Sequence, residues 1–268
     1  MFRASRRRLL ALAGFFVFYQ TIAATIAHAG AGVDKARVSF VSGGPMAEGV
    51  YQAAIVIDLD PNTTTYWRNP GEAGSPPVFD FSASANLEGS TVALPAPKRI
   101  VEAGLDVFGY HDRVIFPVTL RPRDAALPLK AALKMDYAAC EKICVPMHAE
   151  AVLEFSPKGG PAGDPALVAA ARAALPKAVA AETAVKITPV AGAKRPTWTV
   201  TPKAAGVLDL FAETTEGYFA ETKREANGAF RLVLVDAPAP KAPILLTMTT
   251  KDGAVEFSAR LDGGPAAP

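Results

Sequence analysis

The chain has 268 residues, of which 50% are hydrophobic and 20% are charged. This length suffices for one large domain or two ordinary ones, and the hydrophobic content excludes a disordered protein. The net charge of +2 arises at the start of the chain, where Arg3, Arg6, Arg7 and Arg8 lie. Without these four, the 28 basic residues fall to 24 against 26 acidic ones. No concentrated basic surface remains, which excludes nucleic acid as a partner.

Residues 1–29 have the pattern of a secretory signal peptide. The arginines are followed by the apolar stretch Leu9 to Phe18 and by a small-x-small cleavage site, Ala27-His28-Ala29. An uncleaved membrane anchor is the alternative, but the apolar stretch is short for a bilayer of roughly 30 Å. The segment Ser5 to Leu10 fits either general or twin-arginine export. We therefore expect an exported protein located in a bacterial periplasm.

Residues 30–157 alternate between apolar and polar positions, which is typical of β-strands. Pro- and Gly-rich segments such as Asn69 to Pro77 separate the alternating stretches and exclude long helices. Short strands at this spacing predict an antiparallel β-sandwich. The predicted strands are Ala36–Val41, Val50–Leu59, Arg113–Leu120, Leu129–Tyr137 and Ala151–Phe155.

Residues 158–183 have the composition of a linker that contains one helix. Asp164 can accept hydrogen bonds from the free N–H groups of the first turn, and Pro165 suits the start of a helix. The helix is predicted to end near Leu175, because Pro176 follows.

Residues 184–262 return to the alternating pattern, which predicts a second, smaller β-sandwich domain. Residues 263–268 are expected to form a disordered tail. The predicted fold class is therefore all-β, with two sandwiches joined by a short helical linker. The strands predicted in the second domain are Thr197–Thr201, Val207–Ala212, Phe230–Val235, Ile244–Thr250 and Val255–Leu261.

The two cysteines, Cys140 and Cys144, are separated by three residues. In an oxidising compartment we expect them to form a disulfide. Closing so short a loop removes only about 2 kcal/mol of unfolded-chain entropy, against about 4.7 kcal/mol for a 100-residue loop. This comparison favours thiol–disulfide exchange over a structural bridge, although both remain open. The pair is expected on a β-hairpin or strand edge, unlike the Cys-x-x-Cys motif of thioredoxin.

A third use of this segment is copper binding. The thiolates of Cys140 and Cys144, with Met147 and His148 nearby, form a set of soft and borderline ligands that would suit Cu(I). Tetrahedral zinc is disfavoured, because a second pair of ligands is missing. Motifs of hydrolases, phosphate-binding loops and zinc proteases do not occur. We therefore expect no cofactor other than the redox-active disulfide itself.

Three motifs resemble one family. In their order and spacing they are similar to the N-terminal periplasmic domain of the DsbD family of protein-disulfide reductases, and most similar to its ScsB branch, which is linked to copper tolerance. The resemblance rests on motifs within residues 33–156 and only on architecture within residues 184–262. The motifs are Tyr66–Gly71 with Gly74 and Pro76-Pro77, Phe108–Val118, and Tyr137–Pro146 with its two cysteines.

The resemblance implies an immunoglobulin-like sandwich and a redox function. Cys140 and Cys144 would accept electrons from a membrane-embedded thiol reductase and pass them to a periplasmic thioredoxin-fold protein, with Cys144 as the sulfur exposed to partners. Tyr66 and Tyr110 would be candidates for shielding the pair, with an ordinary place in the core or on the surface as the alternative. The protein would then be a protein-disulfide reductase component, and we expect a monomer.

The sequence departs from the family in three respects. We expect the chain to lack the multi-helix membrane module and the C-terminal thioredoxin domain of the family, and the cysteine spacing is narrower than in DsbD. The segment Arg99 to Gly104, expected to lie over the disulfide, contains no aromatic residue. The alternative functions are therefore a non-catalytic binding or chaperone-like module with a structural disulfide, or a Cu(I)-handling protein.

Overall fold

The computed structural model describes residues 35–157, 159–214, 218–235 and 242–261. The predicted signal peptide, residues 1–29, and the predicted tail, residues 263–268, lie outside these ranges. Within them, no helix is both long and apolar enough to cross a membrane.

The first half of the described chain is an immunoglobulin-like β-sandwich, as predicted. Its strands are β1 (Ala36–Ser42), β2 (Tyr51–Leu59), β3 (Thr64–Gly71), β4 (Val78–Asp80), β5 (Leu87–Val92), β6 (Lys98–Glu102), β7 (Leu105–His111), β8 (Arg113–Pro122), β9 (Leu129–Cys140) and β10 (Cys144–Phe155). One sheet has the order β1-β2-β8-β5; the other has the order β10-β9-β3-β7-β6, with β4 beside β9. Apolar residues from both sheets, including Ile55, Trp67, Phe116 and Leu133, form one core.

A helix follows this sandwich at the predicted place. Helix α1 (Pro165–Ala173) begins with a hydrogen bond in which the Leu167 N–H donates to the Asp164 carboxylate, at 2.9 Å. The helix ends at Ala173, slightly before the predicted Leu175. A short helix, α2 (Ala181–Ala184), leads into the remaining strands.

The last part of the chain forms two further four-stranded sheets around a separate core. The strands are β11 (Lys177–Ala178), β12 (Val185–Pro189), β13 (Thr197–Pro202), β14 (Val207–Glu213), β15 (Ala220–Arg224), β16 (Phe230–Leu234), β17 (Ile244–Thr250) and β18 (Gly253–Ala259). The orders are β11-β18-β17-β14 and β12-β13-β16-β15. Trp198, Phe230 and Leu246 are buried between these sheets. We refer to this unit as the second sandwich.

Two features differ from the sequence prediction. Strand β10 begins at Cys144 and not at Ala151, so the β9–β10 hairpin extends to the cysteine pair. Pro146 obscured this strand, but β10 lies at the edge of its sheet, where proline is tolerated. Strands β3 to β7 of the first sandwich and β11, β12 and β15 of the second were not predicted, because they are short or because glycine and proline interrupt their alternation.

One aromatic side chain of the second sandwich lies in the core of the first. Phe211 of β14 is fully buried, and its ring centroid lies 5.8 Å from that of Trp67 and 4.9 Å from that of Phe108. Both ring pairs adopt edge-on geometry, the arrangement that aromatic quadrupoles favour. The two sandwiches therefore share apolar packing at this point.

We expect Phe211→Ala to lower the free energy of unfolding by about 3–5 kcal/mol, because it leaves a cavity between two aromatic rings. Urea denaturation measures this change. Leu208→Ala on the same strand is the matched control, since Leu208 is 48% exposed. Equal losses in both variants would show that the Phe211 contact does not join the two sandwiches.

Candidate functional site

The two cysteines form a disulfide at the end of the β9–β10 hairpin. The hairpin register pairs Cys140 with Cys144, and their Cα atoms are 4.0 Å apart. Cys140 is only 2% exposed, whereas Cys144 is exposed to solvent. The alternation of β9 turns Ala139 toward the core and Cys140 toward the outer face of the sheet. The two residues of the bridge therefore differ in exposure, with Cys144 at the surface and Cys140 buried.

A tyrosine from the neighbouring strand covers the disulfide. Tyr66 of β3 is 1% exposed, and its hydroxyl oxygen lies 3.6 Å from Cys144 Sγ. The same hydroxyl donates a hydrogen bond of 2.9 Å to Glu102 Oε2. The tyrosine ring packs in a small cluster with Val107 and Cys140, and Ile100 lies against it. We refer to Tyr66, Ile100 and Glu102 as the cover.

Two backbone features shape the cover. A Cβ atom on Gly74, whose φ is +101°, would lie 2.5 Å from two carbons of the Tyr66 ring, so only glycine lets the loop pass this close. Ala103 and Gly104 also have positive φ, at 50° and 86°, and form the two-residue turn between β6 and β7. This turn places Glu102 at the end of β6, within reach of the Tyr66 hydroxyl.

Burial and the Glu102 carboxylate determine the protonation of Tyr66. Burial raises the pKa of the Tyr66 phenol far above its usual value, and the hydrogen bond and negative charge of Glu102 raise it further. The hydroxyl is therefore protonated at neutral pH and acts as the donor in its bond to Glu102.

An ion pair lies beside the disulfide. Lys35 Nζ binds the carboxylate of Glu141, the residue that follows Cys140, and holds the pKa of that exposed carboxyl below its usual value. A nearby carboxylate disfavours a thiolate, and a bound ammonium group offsets this repulsion. Lys35 thus moderates a charge that would oppose thiolate formation in the reduced protein.

Tyr110 does not lie beside the disulfide. It is buried in the core of the first sandwich, where its ring packs against Phe116 and its hydroxyl donates to the Pro95 carbonyl oxygen at 2.7 Å. Along β7, Val107 faces the outer cluster, and Tyr110 is three residues further on and faces inward. The structure therefore does not support a shielding role for Tyr110 and gives it the alternative place, in the core.

The candidate copper ligands do not converge. Met147 packs against the core on the inner side of β10, whereas Cys144 and His148 lie on the outer side. His148 is exposed and its ring nitrogens contact the carboxylates of Asp136 and Glu150, which raise the pKa of His148. Among the residues that the structure describes, no group of three or more His, Cys, Asp or Glu side chains could hold a metal ion.

The sequence analysis expected the segment from Arg99 to Gly104 to lie over the disulfide but did not predict which of its side chains take part. It forms β6 and the following turn, and supplies Ile100 and Glu102, while β3 supplies the aromatic ring. No sequence signal marks Glu102, because an acidic residue at a strand end is ordinary. Gly74 carried a signal, since it belongs to the Tyr66 motif.

The fold and the site together define an immunoglobulin-like domain that carries a disulfide between a buried and an exposed cysteine. Residues 34–156 match the family model described as the N-terminal domain of thiol:disulfide interchange protein DsbD. Over these residues the chain is similar to that family, as its motifs indicated. No curated protein sequence matches the chain.

Two solved structures are similar to the chain. The N-terminal periplasmic domain of ScsB from Proteus mirabilis has 16% identity and a TM-score of 0.65, and the match covers 87% of this chain and 96% of that chain. The reduced N-terminal domain of Neisseria meningitidis DsbD has 17% identity and a TM-score of 0.26, covering 42% and 82%. The first likeness shows a shared fold that extends over both sandwiches.

We expect Gly74→Ala to speed reduction of the disulfide by dithiothreitol several-fold, because its methyl group would displace the Tyr66 ring. Thiol alkylation followed by mass spectrometry measures the rate. Gly206→Ala is the matched control: its φ is also positive, at 74°, but nothing lies within 4 Å of the added methyl group. Similar rates in the wild type and Gly74→Ala would show that the ring does not restrict access.

The raised pKa of Tyr66 predicts a pH dependence of stability. The unfolded phenol ionises near pH 10, so the stabilisation from neutral Tyr66 is complete below about pH 10 and is lost above it, by up to about 1.4 kcal/mol per pH unit. We expect the stability difference between the wild type and Tyr66→Phe to shrink from pH 10 to 11 in urea denaturation. A constant difference would contradict the burial of the hydroxyl beside Glu102.

Proposed function

We propose that the protein is a periplasmic thiol–disulfide exchange protein that relays reducing equivalents through Cys140 and Cys144 to a thioredoxin-fold partner. The unequal exposure of the two cysteine residues is the observation that carries this proposal. An exposed sulfur can form a bond with a partner, and a covered neighbour can then displace that partner. The similarity of residues 34–156 to the DsbD N-terminal family supports the same chemistry.

The exchange consists of two displacements. In the reduced protein, the Cys144 thiolate attacks one sulfur of the partner's disulfide, and the partner's other sulfur leaves as a thiolate. The Cys140 thiolate then attacks Cys144 Sγ, which re-forms the intramolecular disulfide and releases the partner as a dithiol. Two electrons have then passed to the partner. A membrane-embedded thiol reductase is the proposed donor, and its own dithiol is oxidised when it reduces the Cys140–Cys144 disulfide.

The cover supplies selectivity. A buried phenol ring over a half-exposed bridge hinders attack by small thiols and oxidants in bulk solution. A protein partner can displace the ring, because its interface compensates the loss of one hydrogen bond to a carboxylate, which contributes a net of about 1.5–3 kcal/mol. Tyr66 would thus limit exchange to partners that dock around Cys144.

Trapping distinguishes the roles of the two sulfurs. The partner in this experiment is a thioredoxin-fold domain that retains only its attacking cysteine, which is first converted to a mixed disulfide with a small thiol. We expect the Cys144 thiolate of Cys140→Ser to displace the small thiol and to accumulate as a mixed disulfide with this partner. Cys144→Ser should form at least tenfold less of this adduct, because its remaining thiol is buried. Non-reducing electrophoresis and mass spectrometry identify the adduct. Equal trapping by both variants would contradict the assigned roles.

The reduction potential tests the relay itself. Equilibration with glutathione buffers is expected to give a value between roughly −180 and −270 mV, the range of thiol-exchange proteins. A value below about −300 mV would mark a structural bridge. That outcome would reject the relay in favour of a binding module whose activity survives replacement of both cysteines by serine.

A further inference from the structure

Both strands that carry the cover are attached to the second sandwich by arginines. Arg68 lies two residues after Tyr66 on β3, and Arg99 lies between Lys98 and Ile100 on β6. Each guanidinium group crosses to carboxylates of the second sandwich. We refer to Arg68 and Arg99 with these carboxylates as the arginine clamp.

Arg99 binds the second sandwich through several donors. Its Nε and Nη2 atoms bind the two carboxylate oxygens of Asp209 at 2.9 and 3.0 Å, and Nη2 also donates to Thr222 Oγ1 at 2.9 Å. Its Nη1 atom holds Asp106 of β7 at 2.8 Å. The guanidinium carbon lies 4.9 Å from the ring centroid of Phe108. This group is thus fixed by a bidentate ion pair on one side and an aromatic ring on another.

Arg68 makes a second bidentate contact. Its Nε and Nη2 atoms bind the carboxylate of Glu213 at 2.9 and 2.8 Å, and Nη2 also binds Glu256. Next to it, Asn69 Nδ2 donates to the Ala212 carbonyl oxygen at 2.9 Å. The end of β3 is therefore held by β14 and β18 together.

Strand β6 depends on these contacts for its position more than a strand in the interior of the sheet would. It is the last strand of its sheet, so within the described part of the chain only β7 pairs with it. It is also only five residues long. Arg99 supplies the attachment that a second neighbouring strand would otherwise give. The cover residues Ile100 and Glu102 lie directly beyond this anchor on the same short strand.

We propose that the second sandwich positions the cover of the disulfide, and that Arg99, through Asp209, is the positioning residue. This proposal rests on the proposed exchange function of Cys140 and Cys144. When the clamp is closed, Glu102 holds the Tyr66 hydroxyl and the ring covers the bridge. When the clamp is released, β6 keeps one strand neighbour, and the cover opens more often.

The test measures the rate at which dithiothreitol reduces the disulfide in the mature chain. We expect Arg99→Met to raise this rate about tenfold, the factor that corresponds to the loss of one charge-assisted hydrogen bond. Asp209→Asn, which alters only the second sandwich and keeps the side-chain shape, should raise it less. Arg99→Lys keeps the charge and should restore part of the slow rate. An unchanged rate in both Arg99→Met and Asp209→Asn would overturn the proposal.

Two controls separate positioning from loss of stability. Arg231→Met removes an arginine that pairs with Glu225 within the second sandwich, and its rate should equal that of the wild type. Val118→Ala destabilises the opposite sheet of the first sandwich without touching the clamp. If Val118→Ala speeds reduction as much as Arg99→Met at equal loss of stability, global unfolding explains the effect and the proposal fails.

A double-mutant cycle gives the decisive readout. In a Tyr66→Ala background the cover is already absent, so Arg99→Met should no longer change the rate. The same fold-change in both backgrounds would show that Arg99 does not act through the cover. Dithiothreitol reduces the disulfide without a protein partner, so the double-mutant cycle tests the cover independently of the reduction potential. A potential below about −300 mV would reject the relay and leave the cycle interpretable.

Discussion

The register of the β9–β10 hairpin is the constraint on which the site depends. It pairs Cys140 with Cys144 on the outer face of the sheet, while Met135, Tyr137 and Ala139 fill the core behind them. A slip of one residue would turn the cysteines inward and expose the core residues. Burial of the core face therefore determines that both cysteines lie on the outer face. The hairpin thus holds the disulfide at its end, where Cys144 is exposed and Cys140 is buried.

The cover combines a large buried ring with a single polar contact. Burying an aromatic side chain contributes about 1.5–3 kcal/mol, and a hydrogen bond to a carboxylate adds about 1.5–3 kcal/mol, so the closed arrangement is favoured by an amount that a protein interface can overcome. The bond from Tyr66 to Glu102 also gives the buried hydroxyl a partner, which removes the cost of an unpaired polar group. A cover of this strength is consistent with selective exchange, because a docking protein can supply the free energy that opens it.

Sequence patterns predicted those parts of the molecule that local physics determines. Alternation located most long strands, and Asp164 with Pro165 marked the helix start, because capping is a local effect. The cysteine pair stood out for its spacing. The contacts of Glu102 and Phe211 could not be predicted, since each depends on which distant strand becomes its neighbour. The place of Tyr110 stayed open between shielding and the core for the same reason: the tyrosine motif does not say which face of β7 turns inward.

The contact between the sandwiches has a buried aromatic centre with charged groups at its border, the anatomy of a protein–protein interface. If docking of the second sandwich stabilises the closed cover, then the closed cover stabilises docking by the same free energy, because such coupling is reciprocal. A partner that lifts Tyr66 would therefore also loosen the contact around Arg99 and Asp209. The second sandwich would then respond to the exchange reaction although the disulfide lies wholly within the first.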